Sequence, residues 1–87
     1  MAVMVEIHHT GTEPGERAEI VAVIEHALAD RAGDWHVSIF GSQSSVQWEM
    51  KISGPTGFER TYDLDGAAGE HDPRVIGKIV TKMVPGT

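Results

Sequence analysis

The sequence predicts an α+β fold: a two-layer sandwich in the order β-α-β-β-β-α, with a mainly antiparallel sheet and both helices packed on one face. Three observations predict it. Apolar residues alternate through three consecutive runs from Trp35 to Leu64, a helical apolar stripe precedes them, and a second, capped stripe follows. Only the two helices can cover the apolar face of such a meander, which leaves its other face open.

A short first strand is expected at 2–8, where Val3, Val5 and Ile7 alternate with Met4, Glu6 and His8. The pattern does not say where this strand joins the sheet. A helix is expected over about 13–32, with Thr12 as cap, Pro14 in its first turn, and Glu13 and Glu16 at the positive end of its dipole. Ile20, Val23, Ile24, Ala27 and Leu28 recur at the spacing of one buried stripe, and Glu19, Glu25, His26 and Asp30 turn to water. Gly33 supplies a left-handed stop.

The meander spans 35–64. A tight turn over Gly41 to Ser44, centred on Ser42 and Gln43, would set Ile39 opposite Val46, Val37 opposite Trp48 and Trp35 opposite Met50. The connection Ser53 to Gly57 would then set Ile52 opposite Phe58, Trp48 opposite Tyr62 and Val46 opposite Leu64, with Lys51 facing Glu59 across the strands. A slip of one residue would turn every apolar side chain to the wrong face. Asp65 to Glu70 reads as a small-residue loop. Asp72-Pro73 opens a helix over about 73–84, with Ile76, Ile79, Val80 and Met83 inward, Lys78 and Lys82 outward, and Pro85-Gly86 as its end. Gly77 within it implies close approach to the sheet or to the first helix.

With 87 residues, 40% of them apolar, the chain 1–87 holds one domain and one modest core. It has no cysteine, which removes disulfides, thiolate metal sites and a cysteine nucleophile. No run of about 18 apolar residues and no signal-like start occur, so a cytoplasmic location and no membrane are expected. The formal charge of −6 disfavours a phosphate-backbone partner and suits solubility or a basic or mixed-charge partner.

Five histidines, His8, His9, His26, His36 and His71, raise the question of a metal. Adjacent strand residues such as His8 and His9 point to opposite faces, and no His-x-His strand pair or His-x-x-x-His helix pair is present, so no metal site is expected. The loop Asp65-Gly66-Ala67-Ala68-Gly69 lacks the Gly-Lys-Ser/Thr ending of a phosphate loop and is flanked by acids; no cofactor is expected.

The open sheet face offers the candidate surface: His36, Phe40, Glu49, Lys51, Thr61 and Asp63. The tight register puts His36 opposite Glu49, a carboxylate placed to orient an imidazole, so these two are the catalytic candidates of a small enzyme or ligand-binding domain. A flat sheet face implies no pocket that excludes water, which argues against catalysis. Arg60 falls on the inward face between Phe58 and Tyr62, and is a further binding candidate.

Helix, three-stranded meander, helix over residues 13–84 resembles, as topology, the double-stranded-RNA-binding domain. That family relies on a lysine cluster at the start of its last helix, where this chain has Glu70, His71, Asp72 and Pro73, so nucleic acid is not the expected partner. The expected function is a non-catalytic protein-contact or accessory module that uses the open face or a sheet edge, with another protein or its own copy as partner.

Overall fold

Alternation in the strands and helical spacing outside them converge on one core. The computed structural model describes residues 2–8, 11–41 and 46–84. In chain order the elements are β1 (Ala2–His8), α1 (Pro14–Leu28), β2 (Asp34–Phe40), β3 (Gln47–Ser53), β4 (Glu59–Asp65) and α2 (Pro73–Met83). Short 3-10 turns at Pro55–Gly57 and Gly66–Ala68 flank β4.

The sheet order is β1-β2-β3-β4. β1 is therefore an edge strand, and it runs parallel to β2, with Val5 paired to Val37 and Ile7 to Ile39. A parallel neighbour needs a crossover rather than a hairpin, and α1 provides it. The other two pairings are antiparallel.

Trp35, Val37, Ile39, Trp48, Met50, Ile52 and Leu64 form the sheet's side of the core. Ile20, Ile24 and Leu28 of α1, with Ile76 and Val80 of α2 and Val84 beyond it, close the other side.

Both hairpin registers differ from the sequence expectation. Ile39 lies opposite Met50 and Val37 opposite Ile52, whereas Trp48 pairs with Leu64, Met50 with Tyr62 and Ile52 with Arg60. Lys51 consequently faces Thr61 and not Glu59. The centre of the tight turn expected over Gly41 to Ser44 lies outside the described residues, but its pairing is excluded because the β2–β3 ladder closes at Phe40 and Glu49. Val46, expected inward, precedes β3 and is 56% exposed. Both displacements are even, so every residue keeps the face that alternation assigned to it.

Packing of the indoles accounts for the observed register. The tight register would make the two tryptophans diagonal neighbours on one face, whereas the observed one sends them to opposite ends. Trp35 meets Phe58 edge-on at 5.4 Å and covers Gly54; Trp48 covers Gly41. A Cβ at Gly54 would fall 2.4 Å from Trp35 Cζ3, and one at Gly41 would fall 2.3 Å from Trp48 Cδ1.

The first helix is shorter than expected. Tight turns from Ala29 N–H to the His26 carbonyl and from Arg31 N–H to the Leu28 carbonyl unwind it, and Gly33 follows at φ +95°. Glu13, not Thr12, occupies the cap position and makes no side-chain capping bond. In α2 the cap is as the sequence indicates: Asp72 accepts from Arg74 N–H at 2.9 Å. Gly77 lies against α1, where an added Cβ would stand 3.3 Å from Val23 Cβ. Pro85-Gly86 lies outside the described residues.

Candidate functional site

The open face is a grid whose rows follow from the three registers. Glu6, Ser38, Lys51 and Thr61 make one row, and His8, Phe40, Glu49 and Asp63 the next. Met4, His36, Ser53 and Glu59 make a third. All six open-face candidates, His36, Phe40, Glu49, Lys51, Thr61 and Asp63, are exposed on this one surface.

The catalytic pairing is not present. Glu49 lies opposite Phe40, four residues along β2 from His36, or roughly 13 Å at 3.3 Å per residue. The carboxylate that reaches His36 comes from β1: Glu6 Oε1 is 2.5 Å from His36 Nε2. Glu6 Oε2 is also 3.9 Å from His8 Nε2, and the His8 ring stacks on Phe40 with centroids 4.7 Å apart. Sequence reasoning identified the kind of contact but not the acid, because alternation alone does not say which strand neighbours β2.

Ser38 Oγ lies 3.3 Å from the same His36 Nε2 that meets Glu6. In a nucleophilic triad the hydroxyl and the acid use opposite ring nitrogens, so that one orients the imidazole while the other gives up its proton. Here both compete for one nitrogen, which can donate to Glu6 or accept from Ser38 but not both. The arrangement orders His36 without priming Ser38. The hollow beside His36, about 420 Å³ and bounded by Met4, Asp34 and Ser53, is an open depression. Among the described residues, no group of three His, Asp or Glu side chains converges to hold a metal ion.

At the other end of the sheet a polar cluster secures the loop that leads into α2. Glu70 accepts from Asp65 N–H and from the Tyr62 hydroxyl, both at 2.8 Å. Those two bonds, the backbone one first, hold its carboxyl below the ordinary glutamate range; the same hydrogen bond raises the Tyr62 hydroxyl above its own. His71 stacks on Trp48 at 3.6 Å, and its Nε2 lies 3.1 Å from the Leu64 carbonyl. These residues serve the fold. Arg60 is exposed on β4, with its guanidinium 5.1 Å above the Phe58 ring and Nη1 donating to the Glu59 carbonyl. A hollow of about 690 Å³ runs between Val23 and Ala27 of α1 and Gly77 and Thr81 of α2. Lys78 and Lys82 lie beside it, and Lys82, in the last turn of α2, complements the end of the helix dipole.

The two sheet edges differ in kind. β4 presents Glu59, Arg60, Asp63 and Asp65, the charged dress that keeps an edge from pairing. β1 carries apolar residues at Ala2, Val3, Met4, Val5 and Ile7, and Met4 is 60% exposed. Val3, Val5 and Ile7 belong to the core face yet remain half-buried. Gly41 N–H donates to the His8 carbonyl at 3.1 Å, so His8 turns its backbone groups toward β2. Alternation along a strand then directs the N–H and C=O of Val3, Val5 and Ile7 outward, beyond the last strand of the sheet.

No helix among the described residues is long and apolar enough to cross a membrane. No protein-family model matches the chain, and a search of curated proteins finds no significant match.

Proposed function

We propose that this small α+β domain is a protein-contact module that takes up an extended partner strand along β1, with the adjoining Glu6, His8, His36 and Phe40 recognising side chains on the open face. The observation that carries this reading is the contrast between edges: β4 is charged, whereas β1 is apolar and directs outward the backbone groups of Val3, Val5 and Ile7, which have no partner among the described residues. Strand addition derives its affinity from such main-chain groups and its selectivity from alternate side chains. The matching partner strand has apolar residues on one face and mixed polar residues on the other.

Amide hydrogen exchange tests the reading. Extended peptides selected by display against the folded chain are expected to protect the amides of Val3, Val5 and Ile7, which otherwise exchange freely. Val5→Pro removes an outward N–H without touching the β1–β2 ladder, and is expected to abolish binding. Ligands that protect none of these amides, or that bind Val5→Pro as tightly, would refute strand addition at β1.

A further inference from the structure

The geometry points to a second copy of this chain as the partner strand. Resting on the edge-contact reading above, we infer that β1 pairs antiparallel with its own counterpart across a two-fold axis at Val5, producing one continuous sheet from β4 of one copy to β4 of the other.

The register follows from the side chains and from the direction of the backbone groups. With Val5 opposite Val5, Val3 faces Ile7 in both directions, so the outward N–H and C=O of all three residues find partners. On the open face Met4 meets Glu6 and Ala2 meets His8, and no like charges stand directly opposite. Moving the axis to Glu6 would set two carboxylates face to face, and moving it to Met4 would leave Ile7 with no opposite residue in β1. An odd displacement would place the two helical layers on opposite sides of the sheet, each apolar face continuing into a polar one. In the Val5 register the half-buried Val3, Val5 and Ile7 of both copies form one apolar band.

The helical layer obeys the same axis. Val23 faces α2 through Gly77. At 100° per residue, Val21 lies about 200° round from Val23, on the flank above β1, which α1 overlies. Arg17 and Glu25 are one turn before and one turn after it, so Arg17, Val21 and Glu25 form a single stripe. Val21 is half-buried; Arg17 and Glu25 are exposed. Antiparallel juxtaposition of two such stripes sets Val21 against Val21, and Arg17 of each copy against Glu25 of the other.

Val21 is the middle residue of α1, as Val5 is of β1. The helix and the strand are of nearly equal length, about 22 Å and about 23 Å from their rises per residue. The proposed arrangement puts one axis through both centres. This self-complementarity in charge and in apolar surface, repeated in two layers, is what selects a second copy over an unrelated strand.

Sedimentation velocity over a concentration series, on the full chain, tests the inference. The wild-type chain is expected to dimerise. Arg17→Glu and Glu25→Arg each place like charges at two symmetric contacts, and each is expected to weaken dimerisation roughly tenfold or more. An equimolar mixture of the two restores both pairs and is expected to form the heterodimer, as the doubly exchanged chain is expected to form its homodimer. These variants alter exposed side chains, so near-ultraviolet circular dichroism should show the native core in all of them.

A wild-type chain that remains monomeric while selected peptides still protect Val3, Val5 and Ile7 overturns the second copy and leaves the edge-contact reading standing. A dimer that persists in Val5→Pro, or a mixture that fails to restore association, overturns the arrangement. A monomer whose β1 amides no peptide protects overturns both readings.

Discussion

Glu70 shows how one side chain secures a loop. It receives the Asp65 amide and the Tyr62 hydroxyl together, and its carboxyl is held below the ordinary glutamate value as a result. A depressed folded-state value means stability that is present above the unfolded value and lost as pH falls through the folded one. Tyr62 has the opposite sign: its raised value gives stability present below the ordinary tyrosine value and lost as pH rises through the folded one. Glu70→Gln is expected to lower the melting temperature at neutral pH and to flatten its acid-side fall. Melting curves across the acidic range check this; equal slopes for the two chains would refute it. Neither partner was legible in the sequence, because Glu70 and Tyr62 belong to different elements and no periodicity joins them. His36 was partly legible: a carboxylate beside it was anticipated, but Glu6 could be identified only once β1 was placed next to β2.

At the scale of elements, alternation specifies which face a residue takes, whereas the meeting of particular pairs depends on connection length and on shape. Val37, Trp48 and Met50 are inward as their parity requires, yet their cross-strand partners are not those of the shortest turn. The deciding information lies in Gly41 and Gly54, whose missing side chains give room to an indole each. In the sequence they read only as turn residues, since the need for a glycine comes from a ring distant along the chain. Gly41→Ala and Gly54→Ala are each expected to destabilise the fold by about 1–3 kcal/mol, the usual cost of overpacking against buried rings. Urea denaturation checks both, and an unchanged midpoint in either would show that its indole can move aside. The end of α1 was misplaced by four residues for a related reason: Gly33 marks where the chain must turn, but the tight turns that unwind residues 29–32 leave no trace in the pattern of apolar residues.

For the whole molecule, the two-layer order was readable because only two stripes were available to cover one apolar face. The position of β1 was not, because a parallel edge strand and a detached arm share the same alternation. This topology also suggests an order of folding. β2, β3 and β4 join neighbours in sequence, whereas Val5 must find Val37 across α1. Closing the longer loop costs more entropy before any contact repays it, so β1 is expected to dock after the meander. Met50→Ala should cost about 3 kcal/mol and chiefly slow refolding; Val5→Ala should cost about 1 kcal/mol and chiefly speed unfolding. Stopped-flow fluorescence in an Arg17→Glu background, where association is suppressed, separates the two. A Val5→Ala chain that refolds more slowly in proportion to its lost stability would place β1 in the folding nucleus instead.

The stacking of His71 on Trp48 has an optical consequence. An imidazole in contact with an indole alters its emission, whereas Trp35 lies at the far end of the sheet beside Phe58. The two tryptophans thus view different ends of the molecule. In a Trp35→Phe chain the remaining emission would follow the seating of the 66–72 loop in real time, using a fluorophore native to the chain.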